Sequence, residues 1–141
     1  MTADAAALRE GDELPPLSLR PDLTQAVRYS ALGWNFTPMF YDAEAARAQG
    51  MPGTLVPGPL KLGLLYRAVE EWLGEAGYVR QVRAAHRRPD ITGHPIVVTG
   101  KVARVYEEGG SRRADLEMAI VNDEGQPSVR GFATVEFFSG A

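Results

Sequence analysis

Cysteine is missing from this chain of 141 residues. That excludes disulfides, a thiolate nucleophile and any cysteine-ligated metal site. Histidine is scarce: His86 and His94 are the only two, so imidazole chemistry has two possible sources. No apolar run approaches the roughly 18 residues of a membrane span. Met1 to Glu10 lacks the basic start and apolar middle of a signal peptide, which predicts a cytoplasmic location. An excess of one charge is also missing. A formal net charge of −3 gives no general pull toward nucleic acid or an anionic membrane. Internal repeats, low-complexity tracts and linkers are absent too. What is present, 45% hydrophobic and 23% charged residues, is the composition of an ordinary globular chain of about one domain.

The stretch from Pro52 to Leu73, PGTLVPGPLKLGLLYRAVEEWL, organises the rest. A Pro/Gly-punctuated loop runs into the longest apolar helical pattern of the chain. Leu60, Leu62, Leu64, Leu65, Ala68, Val69, Trp72 and Leu73 are apolar; Lys61, Arg67, Glu70 and Glu71 are polar. The first two turns are apolar nearly all round, which predicts a helix sunk in a core or wrapped by a sheet. Pro59 suits a first helical turn, Gly58 precedes it in the cap position, and Gly74 and Gly77 end the helix.

In chain order, Met1 to Gly11 reads as an N-terminal tail or loose helix, with the domain spanning 12–141. The double proline near Leu17 and Leu19 permits only a short edge strand. Asp22 to Leu32 reads as a helix with Thr24 as cap and Val27, Ala31 and Leu23 facing inward. Trp34 to Tyr41 is an aromatic-rich loop, and Asp42 caps a small helix that Gly50 terminates. Four segments after the central helix alternate with period two: Tyr78 to Arg88, Ile96 to Glu107, Arg113 to Val121 and Ser128 to Phe138. Short Gly-containing turns between the last three imply antiparallel pairing. Such a sheet must cover its apolar face, and the Pro59 to Leu73 helix is long enough to do so. The expected class is α+β, a curved antiparallel sheet wrapped around one long central helix.

In this order the elements resemble the hot-dog fold of the MaoC-like hydratases and dehydratases, over about Leu14 to Phe138. Members carry a loop of the form D-x-N-P-x-H-x-D, then V-H-G at the head of the central helix. Here Asn35 to Asp42 reads N-F-T-P-M-F-Y-D, and Val56 to Gly58 reads V-P-G. The resemblance implies an acyl-CoA thioester ligand, with coenzyme A only as part of the substrate and no metal or redox cofactor. It also implies a homodimer, or a heteromer with a second MaoC-like chain. By this resemblance the Gly58 N–H, at the positive end of the helix dipole, is an oxyanion-type donor.

The departures bear on the chemistry. The family's loop Asp and His, which hold and deprotonate a water, correspond here to Asn35 and Phe40. Asn is no base near neutral pH, and Phe has no exchangeable proton. The family's loop Asn is Thr37, and its His before the helix glycine is Pro57. These substitutions point to a thioester-binding subunit acting with a catalytic partner chain. Two alternatives stand beside it: an active hydratase or dehydratase with an altered dyad, using a base such as His86 or a water held by Asn35, and a hot-dog thioesterase. The last needs a carboxylate beside the helix, and Glu70 and Glu71 lie too far along it. Tyr41 neighbours the lost histidine but projects oppositely on an extended backbone. Trp34, Phe36, Met39 and Phe40 either line an acyl tunnel, with Leu60, or pack under the loop. Val82 to Pro89 resembles the R-x-x-R-P run of a subgroup acting on larger acyl-CoA. By that resemblance Arg83, Arg87 and Arg88 pair with a nucleotide phosphate; read alone, they are a solvated strand edge or a dimer rim. His86 is either a half-exposed strand residue or part of the site, and His94 is a turn residue.

Overall fold

The computed structural model describes residues 2–140. Five strands form one antiparallel sheet in the order β1-β3-β4-β5-β2, where β1 is Leu17–Leu19, β2 Gly77–His86, β3 Ile96–Glu108, β4 Ser111–Asn122 and β5 Pro127–Phe137. The period-two pattern sets which side chains turn inward. On β4 these are Ala114, Leu116, Met118 and Ile120; on β5, Val129, Ala133, Val135 and Phe137, all buried. Helix α3, Gly58–Leu73, supplies the other half of the core through Leu60, Leu64, Leu65, Ala68, Val69, Trp72 and Leu73. It packs against β2, β3, β4 and β5, so the sheet wraps the helix as the alternation predicted. Leu17 and Leu19 form the expected short edge strand on β3.

Room for the helix comes from small residues. Met118 is paired with Gly100 on one side and Gly131 on the other. A Cβ at Gly100 would lie 2.5 Å from the Met118 sulfur, and one at Gly131 would lie 2.8 Å from Leu65 Cδ1. Both distances are shorter than a real Cβ contact, so a larger residue at either place would force the Met118 or Leu65 side chain to move; glycine serves here for close approach rather than for its dihedral freedom.

Three local expectations are corrected. The cap of α1 (Leu23–Leu32) is Asp22, not Thr24; its carboxylate accepts from Gln25 N at 2.8 Å, and the Gln25 side chain accepts from Asp22 N, a complete capping box. The inward face of α1 is Ala26 and Ser30, whereas Leu23, Val27 and Ala31 are exposed. Small residues let α1 lie close to α3, where the Tyr29 hydroxyl would stand 3.0 Å from a Cβ at Gly63. The N-terminal segment, expected as a tail, is built into the fold. Ala5, Leu8 and Leu14 are buried in the core, and backbone bonds tie Ala3 N to Trp72 O at 2.7 Å and Gly11 N to Val102 O at 2.8 Å. The backbone from Gly11 to Leu14 covers the open flank of β3 beyond the three residues of β1, bonding to Gly100 and Val102.

At the end of the sheet away from the head of α3, Glu136 Oε2 accepts from Arg113 Nε and Arg80 Nη1, both at 2.7 Å. The Arg113 hydrogen bond, with help from Tyr78, Ser111 and Arg80, outweighs burial and holds the carboxyl at about 2, below its ordinary 4.5. A depressed carboxyl stabilises the fold above its unfolded value, and that contribution is lost as pH falls from about 4.5 through about 2. Glu136→Gln is therefore expected to flatten the acid limb of melting temperature against pH in that window. An unchanged slope would refute the assignment.

Candidate functional site

The site is built where the chain returns to the head of α3. Pro57 is the N-cap residue of α3 and offers no side-chain cap, so the helix begins at Gly58, one residue earlier than predicted. Pro59 has no N–H, and the first backbone bond is Lys61 N to Pro57 O at 3.2 Å. The Gly58 and Leu60 N–H groups thus have no protein acceptor among the described residues, as expected for the first turn of a helix. Pro57 and Leu60 themselves are buried beneath this turn.

Strand β2 leaves the far end of α3 and runs back to it, so its last residue, His86, reaches Gly58. A Cβ at Gly58 would stand 3.2 Å from His86 Nε2 and 3.4 Å from Cε1. Glycine is what lets the ring approach. Gly58, His86, Arg87 and Arg88 border one cavity of about 270 Å³, together with Val56, Lys61 and Pro89. Arg87 and Arg88 also border a second one of about 540 Å³ with Pro127 and Arg130. A larger depression of about 750 Å³ includes Pro127, Arg130, Glu13, Lys101 and Glu117. It does not reach the head of the helix.

Beneath the first turn lies a pair that the sequence did not flag. Lys61 Nζ donates to Asp90 Oδ2 at 2.9 Å and to Arg88 O at 3.0 Å, with the two side chains only 4% and 2% exposed. Asp90 Oδ1 is buried without a partner among the described residues. The pair pins the Arg88–Pro89–Asp90 turn to the head of α3, and Val56 N to Asp90 O at 2.8 Å closes the same joint. Partial desolvation pushes the His86 imidazole below its ordinary value; the Lys61 ammonium adds to this and the Asp90 carboxylate opposes it. Desolvation and the ammonium both favour the uncharged ring.

The loop that carries the family positions is tied to this head by Leu55 N to Met39 O at 3.0 Å. Asn35 Oδ1 accepts from Thr37 N at 3.2 Å and from Thr37 Oγ1 at 2.6 Å, so it is spent on a local Asx turn. Tyr41 Oη donates to Phe36 O at 2.9 Å and is turned back into the loop. Asp42 caps α2 (Ala43–Ala48), accepting from Glu44 N and Ala45 N. Met39 and Phe40 are half-buried. Trp34 is 83% exposed at φ 54°, a left-handed conformation that costs a non-glycine residue about 1 kcal/mol. It meets Phe36, also exposed, edge-on at 5.2 Å between ring centroids. Both rings stand exposed rather than packed under the loop. Arg83 stacks over Phe132 on the sheet, 4.9 Å from the ring centroid, apart from Arg87 and Arg88. His94 sits at the surface, 3.1 Å from Asp123. Glu70 and Glu71 are exposed on the second half of α3, away from its head. Among the described residues no cluster of three or more His, Asp or Glu could hold a metal ion, and no helix is long and apolar enough to cross a membrane.

No protein-family profile matches this sequence, and no curated protein does. Solved structures do. An (R)-hydratase from A. caviae involved in PHA biosynthesis superposes with a TM-score of 0.85 at 22% identity, over 94% of this chain and 98% of that one. The ChsH1-ChsH2 complex from Mycobacterium tuberculosis gives 0.80 at 22% identity, over 92% and 98%. A MaoC-like dehydratase from Rhodospirillum rubrum gives 0.81 at 18% identity, over 96% and 97%. At these identities the likeness establishes the fold, a single hot-dog domain.

Proposed function

We propose that this chain is the acyl-CoA-binding subunit of a MaoC-like hydratase or dehydratase, working with a partner chain that supplies the acid/base pair. The observation that carries the reading is the pairing of an intact cradle with an emptied dyad. Gly58 N–H is an unspent donor at the head of α3, beside arginines able to meet phosphates. At the dyad positions stand Phe40, which carries no proton, and Asn35, whose carbonyl is occupied by Thr37. The thioester carbonyl would lie at Gly58, with the nucleotide end crossing Arg87 and Arg88 toward Arg130. Trp34 and Phe36, bare in the single chain, would line the acyl path only once a partner covers them. That the ChsH1-ChsH2 structure is a complex of two chains lends support to a partner of the same fold.

A second reading is favoured by one observation: His86 stands at the cradle beside Gly58 and could itself take a proton as the base of an altered hydratase.

The test is an assay of the purified chain with a trans-2-enoyl-CoA, following binding, hydration and release of free CoA separately. Binding without turnover is expected, with hydration at least about 10²-fold below that of a dyad-bearing complex. Turnover abolished by Asn35→Ala would overturn the subunit reading. Turnover abolished by His86→Ala would establish the second one, and release of CoA would indicate a thioesterase.

A further inference from the structure

One polar group at the head of α3 has no structural employment. The His86 side chain makes no hydrogen bond to any described residue, and its ring lies so near Gly58 that a Cβ there would press on it. The contact distances, 3.2 Å to Nε2, 3.4 Å to Cε1 and 3.7 Å to Cδ2, turn the Nε2–Cε1 edge toward the glycine. Gly58 and His86 both border one open depression of about 270 Å³, and the Gly58 N–H and the ring's Nε2 each have an unused hydrogen-bonding valence. The charged groups around the ring are Lys61 from α3 and Arg87, Arg88 and Asp90 from the following turn; its partner on β5 is the apolar Val129.

We propose that His86 Nε2–H and the Gly58 N–H together hold a single carbonyl oxygen, that of the acyl thioester, as a two-donor cradle. This rests on the thioester-binding reading given above and adds to it the residue that polarises the ligand. A carbonyl oxygen has two lone pairs, and one backbone donor fills only one of them. The second donor is worth about five- to tenfold in affinity for a neutral pair, and it draws electron density toward the oxygen at no reorganisation cost because the ring is already in place. The imidazole here orients and polarises. No proton leaves it, so the role holds whether or not a partner carries the base. Glycine at position 58 fits this arrangement because a Cβ there would press on the ring.

The experiment uses the isolated chain and a trans-2-enoyl-CoA labelled with 13C at the thioester carbonyl, read by infrared difference spectroscopy alongside titration calorimetry. Binding to the native chain is expected to lower the carbonyl stretching frequency. His86→Ala, at an exposed strand end, is expected to fold normally by circular dichroism, bind about five- to tenfold more weakly and lose at least half of the frequency shift. His86→Gln, which restores an N–H donor, should regain part of it. A full shift in His86→Ala, or no shift in the native complex, would overturn the two-donor cradle while leaving thioester binding intact. Absence of any binding by the native chain would overturn the thioester reading and this proposal with it.

Discussion

Replacing Asp90 with alanine is expected to destabilise the chain by roughly 3–5 kcal/mol, read as a lower denaturation midpoint in urea. The size follows from what remains. Lys61 is inside the first turn of α3, 4% exposed, and its ammonium has two acceptors, Asp90 Oδ2 and Arg88 O. Removing the carboxylate leaves a buried cation with one carbonyl. Attraction between the pair is not the relevant quantity, because desolvating two charges offsets most of it. What is costly is breaking the pair from one side. Lys61→Met alone should also destabilise, since Asp90 already has one oxygen unpartnered and would then have neither satisfied. The double change Lys61→Met with Asp90→Leu is expected to recover most of the loss, because apolar side chains of similar volume carry no desolvation penalty. A single Asp90→Ala costing under about 1 kcal/mol would mean that the pair is solvated in solution.

Leu65→Ala carries the other large effect, about 4 kcal/mol within the range of 2–5 for buried leucines. Leu65 is 0% exposed, and its Cδ1 lies over the backbone of Gly131 on β5. The cost of such a truncation depends on how far neighbours can collapse into the space. Here the floor is paired strand backbone, which cannot move in without breaking its ladder to β4 and β2. Leu62, three residues earlier, is 39% exposed and its truncation should stay within about 0.5 kcal/mol. Equal losses at the two positions would contradict a helix held by the sheet on one side only.

These two residues also show how far the sequence could be read. Its apolar run from Leu60 to Leu73 identified the central helix, and strict alternation on β4 and β5 identified the inward faces, because burial and periodicity are local properties of a chain. Leu62 escaped that reading. An all-round apolar turn predicts burial on every side, whereas the sheet and α1 leave the Leu62 side of the helix partly uncovered. Lys61 passed without notice for the opposite reason. A lysine in a helix reads as solvated, and its burial depends on a carboxylate 29 residues away in a turn with no pattern of its own. The meeting of Gly58 and His86 is equally non-local, set by β2 running back along α3. By contrast Asp42 as a cap and Gly50 as a terminator were legible, since capping is decided within a turn. On α1 the apolar stripe of Leu23, Val27 and Ala31 outweighed Ala26 and Ser30. Close packing against another helix prefers small side chains, which hydropathy ranks low.

The seam of Gly100, Met118 and Gly131 has a consequence for recognising relatives of this chain. A methionine laid between two missing side chains makes three positions share one volume across three strands. A bulkier residue at Gly100 needs a smaller or displaced Met118, and one at Gly131 needs room from Met118 and Leu65 together, so drift there is tied to a sum rather than to identities. Comparisons that score each column separately would see three unrelated changes. One that totals side-chain size across the row would see a constant, and could detect distant kin where residue-by-residue matching finds none.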